Sequence, residues 1–137
     1  PSKLGPQQMK FSARPCAGQK LVTAFGGANK LRDNLAAQLA GGEACFEFQV
    51  QLRKDPVNMP IEDATQTWDE NKSPFMTVAR VHIPSQTPDV GASCENMTYN
   101  PWHGVNDLRP LGGISRVRKD VYLAISRLRL KLNGVQK

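Results

Sequence analysis

Two periodicities alternate along the chain and divide it into elements. In ACFEFQVQL, residues 44–52, Phe46, Phe48, Val50 and Leu52 fall on one side, and Cys45, Glu47, Gln49 and Gln51 on the other. Strand side chains point alternately to opposite faces, so this stretch predicts a half-buried strand. MTVARVHI at 76–83 predicts a second strand, ended by Pro84, with Met76, Val78, Arg80 and His82 on one face and Thr77, Ala79, Val81 and Ile83 on the other. MKFSAR, at 9–14, predicts a shorter one. In KLRDNLAAQLAG, residues 30–41, Leu31, Leu35 and Leu39 recur every fourth position and Gly41-Gly42 follows, the pattern of a helix and its stop.

The longest periodic segment lies near the C-terminus. Ser115 is the expected N-cap of a helix over 115–133, after Gly112-Gly113, and Asn133-Gly134 its stop. At about 100° per residue, Val117, Val121, Ala124, Ile125, Leu128 and Leu132 form one apolar stripe. Arg118, Tyr122, Ile125 and Arg129 line its edge, while Arg116, Lys119, Arg127 and Lys131 point mostly to solvent. Residues 54–75, with three prolines and five acids around Trp68, predict a long ordered connection. Residues 84–114 show no period, and an unpatterned segment of that length in a compact domain implies a functional loop.

The 137 residues suit one domain, and ten prolines with eleven glycines imply many turns rather than a helical bundle. The net charge of +6 is concentrated: residues 109–137 hold eight Lys/Arg against one acid, and residues 1–108 hold ten against eleven. The C-terminal segment should therefore attract anions. Cys16, Cys45 and Cys94 are far apart, with no C-x-x-C pair, and are expected to be unpaired, buried or neutral thiols rather than a disulfide scaffold. No window approaches the roughly 20 apolar residues of a membrane span. The first sixteen residues have no apolar leader core. With Pro1 in first place, the chain is expected to be processed or a piece of something longer.

Arg118-x-x-x-Tyr122 is the pattern that carries chemistry. A tyrosine binds iron best as phenolate, although its free pKa is about 10. A cation one helical turn away favours the charged form. Tyrosine is a known axial ligand of haem iron. Arg129, on the same face, suits bidentate contact with a carboxylate such as a haem propionate. The bland alternative is a half-buried tyrosine at the core edge with an arginine stacked on it.

The order of segments resembles the catalase superfamily, more its short catalase-related members than the large catalases. The resemblance covers LRDNLAAQLAGG with FEFQVQL, then EDATQTWDENKSPFMTVARVHIPSQ, then ENMTYNPWHGVNDLRPLGGISRVRKDVY. It implies an α+β fold: the antiparallel β-barrel portion of a catalase-like fold with flanking helices and a long C-terminal helix. Residues 1–137 would be the C-terminal part of such a domain. Tyr122 would be the proximal ligand of haem b, Arg118 its charge partner and Arg129 a propionate-binding residue. The implied activity is catalase or peroxidase chemistry on hydrogen peroxide or an organic hydroperoxide. The chain departs from the family after the tyrosine, where Leu123-Ala124-Ile125-Ser126 replaces Pro-Asp and a Thr/Ser-His/Gln pair. The distal histidine and asparagine have no counterpart, since His82 and His103 do not match that position. The expected partners are therefore the N-terminal part of the same domain or another subunit, in a homo-oligomer, with cytoplasmic location favoured.

Other polar residues have bland expectations. His82 is a half-exposed strand histidine, and His103 a loop-holding residue without a second ligand at metal spacing. Glu62, Asp63, Asp69 and Glu70 lack the pattern of a calcium loop and suit a solvated one. Trp68 and Trp102 suit packing anchors, and neither glycine pair is a phosphate loop. The competing function is a catalase-like scaffold without catalysis, or an anion-binding module built on the basic helix. A nucleic-acid or membrane partner is not expected, because no aromatic other than Tyr122 interleaves the basic residues and the helix lacks a Trp/Phe face.

Overall fold

The computed structural model describes residues 1–89 and 92–135. Val90 and Gly91, in the unpatterned 84–114 segment, and Gln136 and Lys137, in the basic segment, lie outside the described residues. The elements are β1 (Ser2–Leu4), β2 (Gln7–Pro15), α1 (Lys30–Gly41), β3 (Ala44–Leu52), β4 (Met76–Ile83), a short α2 (Ala92–Glu95), a 3-10 turn at Asn106–Leu108, and α3 (Gly113–Leu132). The two strands and the helix predicted from periodicity, β3, β4 and α1, keep their expected bounds. β2 is longer than 9–14. β1 was not expected; three residues are too few to carry a period, and they pair antiparallel with β2.

The described strands form one open, antiparallel four-stranded sheet in the order β1-β2-β3-β4, so β1 and β4 are its edges. The fold is α+β, and among the described residues the sheet does not close into a barrel. The face expected for β3 is only partly kept. Val50 is buried as predicted, but so is its neighbour Gln51 on the opposite face. β4 is exposed on both faces up to Ile83, so nothing described covers it.

The chain divides into two compact units. The first comprises Pro1–Phe11, Val50–Phe75 and Val90–Lys137. Its buried apolar side chains are Met9, Val50, Met59 and Trp68. The expected ordered connection at 54–75 is built by side chains bonding to backbone. Gln51 Nε2 donates to Ser73 O at 2.9 Å and to Trp68 O at 3.3 Å. Trp68 Nε1 donates to Pro60 O at 3.1 Å, as a buried indole must find an acceptor. Arg53 donates to Met59 O, Pro56 O and Gln8 Oε1 at 2.7–2.9 Å. A loop without strand or helix partners needs such substitutes for its carbonyls.

The second unit comprises Ser12–Gln49 and Met76–Asp89, with Leu39 and Ala44 buried. Here the structure corrects the cysteine expectation. Cys16, just after β2, and Cys45, at the start of β3, form a disulfide with Cα atoms 5.4 Å apart. Cys16 N–H also donates to Cys45 O at 3.0 Å, so antiparallel pairing brings the two thiols together. Sequence spacing alone hides this, because 29 residues separate them. Cys94 is free and exposed.

Candidate functional site

The candidate residues lie on α3, in the first unit. The helix starts at Gly113, not after Ser115, and its N-cap is Gly112, which gives no side-chain cap bond. The cap comes from a distant residue instead. Glu62 Oε2 accepts the Gly113 N–H at 2.8 Å, and both its oxygens accept from the Arg116 guanidinium at 3.0 Å. A carboxylate at a helix N-terminus satisfies an orphan donor and complements the dipole. The Arg116 side-chain bond, then the Gly113 N–H, hold the Glu62 carboxyl below its ordinary value. Glu62 therefore orients α3, a role that its expected place in a solvated acidic loop did not suggest.

Gly112 is required at the cap. Its φ is +90°, and a Cβ there would stand 2.8 Å from Ile61 O. At the other end, the Asn133-Gly134 stop is realised. Gly134 takes a φ of 71°, its N–H bonds Lys131 O, and Val135 N–H bonds Leu130 O. These two bonds make a Schellman cap.

A strap at 96–102 holds one edge of the helix. Trp102 Nε1 donates to Ser115 O at 2.8 Å, and Asn100 Nδ2 to Lys119 O at 3.3 Å. Lys119 Nζ lies 5.2 Å from the Trp102 ring centroid. Arg129 Nη2 donates to Met97 O, and Asn133 Nδ2 to Asn96 Oδ1 at 3.1 Å. The edge turned to the unit thus carries Ser115, Tyr122, Ser126, Arg129 and Leu130, all half-buried. The apolar stripe is left outside: no residue of α3 is buried.

Arg118 and Tyr122 meet as the spacing predicts. Arg118 Nη2 donates to Tyr122 Oη at 2.8 Å, and its guanidinium lies 5.0 Å from the ring centroid. Arg129 shares that face, but its Nη2 is committed to the strap, while its Nε is buried without a partner. Arg118 also lines a cleft of about 230 Å³ beside the first turn of α3, with Lys10, Ile61, Glu62 and Ile114. Lys10 Nζ lies 4.6 Å from the Trp68 ring centroid, and partial burial lowers its pKa from the ordinary lysine value.

One side of a haem would need an iron ligand and a partner for its carboxylates. A phenol oxygen held by a guanidinium is present, but Arg129 has its Nη2 on Met97 O and its Nε buried. The cleft is below the size of sites that enclose even drug-sized ligands, so it does not enclose a macrocycle.

The remaining expected residues take no part in the Arg118–Tyr122 contact. His82 is exposed on β4, and His103 is exposed, with its backbone N–H on Asn100 O. Trp68 is a packing anchor, and Trp102, in the strap, is half-buried. Asp63 and Asp69 accept backbone N–H bonds from Thr65 and Asn71 in local turns. Among the described residues, no group of three His, Cys, Asp or Glu is placed to hold a metal ion, and no helix is long and apolar enough to cross a membrane. Comparisons with protein-family models, curated proteins and solved structures gave no match.

Proposed function

We propose that this chain supplies the proximal wall of a haem site in a catalase-like protein acting on hydrogen peroxide or organic hydroperoxides. The observation that supports this reading is the bond from Arg118 Nη2 to Tyr122 Oη at 2.8 Å on a strapped helix. Bound haem b would supply the iron chemistry of peroxide breakdown. Tyr122 would present its oxygen to the iron, and Arg118 would hold that oxygen in place by its hydrogen bond. Arg129 would have to release Met97 O and leave its buried position to meet a propionate. The distal groups, and the strands that would continue the sheet beyond β1 and β4 into a barrel, would come from the N-terminal part of the domain or another subunit, in a homo-oligomer.

Against the expected cytoplasmic location stands the Cys16–Cys45 bridge, since disulfides persist mainly in oxidising compartments. A second reading, a non-catalytic scaffold or anion-binding module, draws on the exposed cations of α3, Arg127 and Lys131 among them.

The test is the absorption spectrum of the purified protein with haem added, beside a Tyr122→Phe variant. A Soret band that is lost or shifted in the variant is expected. A band unchanged by the substitution overturns the ligand assignment, and no band at all overturns haem binding.

A further inference from the structure

α3 carries a three-heptad apolar face that the rest of the first unit leaves open. Ile114, Val121 and Leu128 recur every seventh residue, and Val117 and Ala124 lie between them. Ile125 and Leu132 widen the face on one side. The six large side chains on it are 44–76% exposed. The strap and Glu62 grip the other edge of the helix, so its orientation is settled without this face. A stripe about 100° wide, at these spacings, is what a helix buries against another helix.

The charges beside the stripe narrow the partner. Of the exposed cations, Arg118 follows one border and Arg127 and Lys131 the other, with Asp120 the single acid of α3. A second copy of α3 laid on the first would bring cations against cations. A lipid surface would meet the cations well, but the stripe holds no Trp or Phe to sit at the headgroup level. A helix with an apolar seam and acidic borders satisfies both features. We infer that the exposed face of α3 is a docking surface for an amphipathic helix whose flanking positions are acidic. The inference does not depend on whether Tyr122 ligates iron.

The test uses the full chain and two labelled synthetic helices of about three heptads. Both carry isoleucine and leucine at the seam; one has glutamate at its flanks, the other lysine. Binding is read by fluorescence anisotropy. The glutamate peptide is expected to bind and the lysine peptide not. Val121→Asp, at an exposed position that leaves the circular dichroism unchanged, is expected to weaken binding at least about tenfold, or 1.4 kcal/mol. The double variant Arg127→Glu/Lys131→Glu should move the preference toward the lysine peptide. Failure to bind the glutamate peptide, equal binding of both peptides, or indifference to Val121→Asp overturns the inference. So does a sedimentation-detected dimer, or association with phosphatidylglycerol-containing vesicles, that Val121→Asp abolishes while peptide binding is absent.

Discussion

Removing the bridge by a Cys16→Ser/Cys45→Ser double substitution should destabilise the protein by a calculable amount. The two residues are 29 apart, so the bridge closes a loop of about that length in the unfolded chain. Chain-entropy arithmetic for such a loop gives roughly 12 cal/mol/K, or about 3.6 kcal/mol at 25 °C. The native side changes little. The Cys16 N–H to Cys45 O bond and the Cys45 N–H to Gln19 Oε1 bond, each 3.0 Å, are backbone donations that serine preserves. For a chain of this length the loss corresponds to a fall in Tm of roughly 10–15 °C. The assay is urea unfolding followed by far-ultraviolet circular dichroism, on oxidised wild type and the double variant. Mass spectrometry after thiol alkylation, without reductant, counts free thiols. One free thiol, Cys94, is expected in the wild type. Three alkylated thiols in the native protein would refute the pairing. A stability difference within about 0.5 kcal/mol, the scatter of neutral surface changes, would refute the loop-entropy reasoning.

Two further predictions concern how α3 is held. Gly112→Ala should cost at least about 2 kcal/mol, because a φ of +90° strains any L side chain and the new Cβ would meet the Ile61 carbonyl. Thermal unfolding checks this, and a Tm equal to wild type would refute it. Glu62→Gln should reduce acid sensitivity. Glu62 titrates below its ordinary value of 4.5 in the folded state, so its contribution is complete above that value and fades as pH falls below it. The variant should therefore start less stable at neutral pH and lose less between pH 5 and the acid limit, as circular dichroism over a pH series would report; parallel acid profiles would refute the clamp.

The elements that sequence determined are those whose period is local. Alternation over ACFEFQVQL and MTVARVHI and the leucine spacing of KLRDNLAAQLAG fixed β3, β4 and α1 to their bounds. The four-residue spacing of Arg118 and Tyr122 already implied their contact, because one helical turn brings such residues together. Tertiary structure decided the rest. The Cys16–Cys45 pair depends on strand register, and the Glu62 clamp joins residues 51 positions apart. Neither leaves a local period to detect. Tertiary structure also decided which face of α3 turns inward. Hydrophobic pattern favoured the apolar stripe, but the hydrogen bonds offered by Asn96, Asn100 and Trp102 fix the opposite edge against the unit. A moment along a helix says which face can be buried. Only the groups that surround it determine which face is.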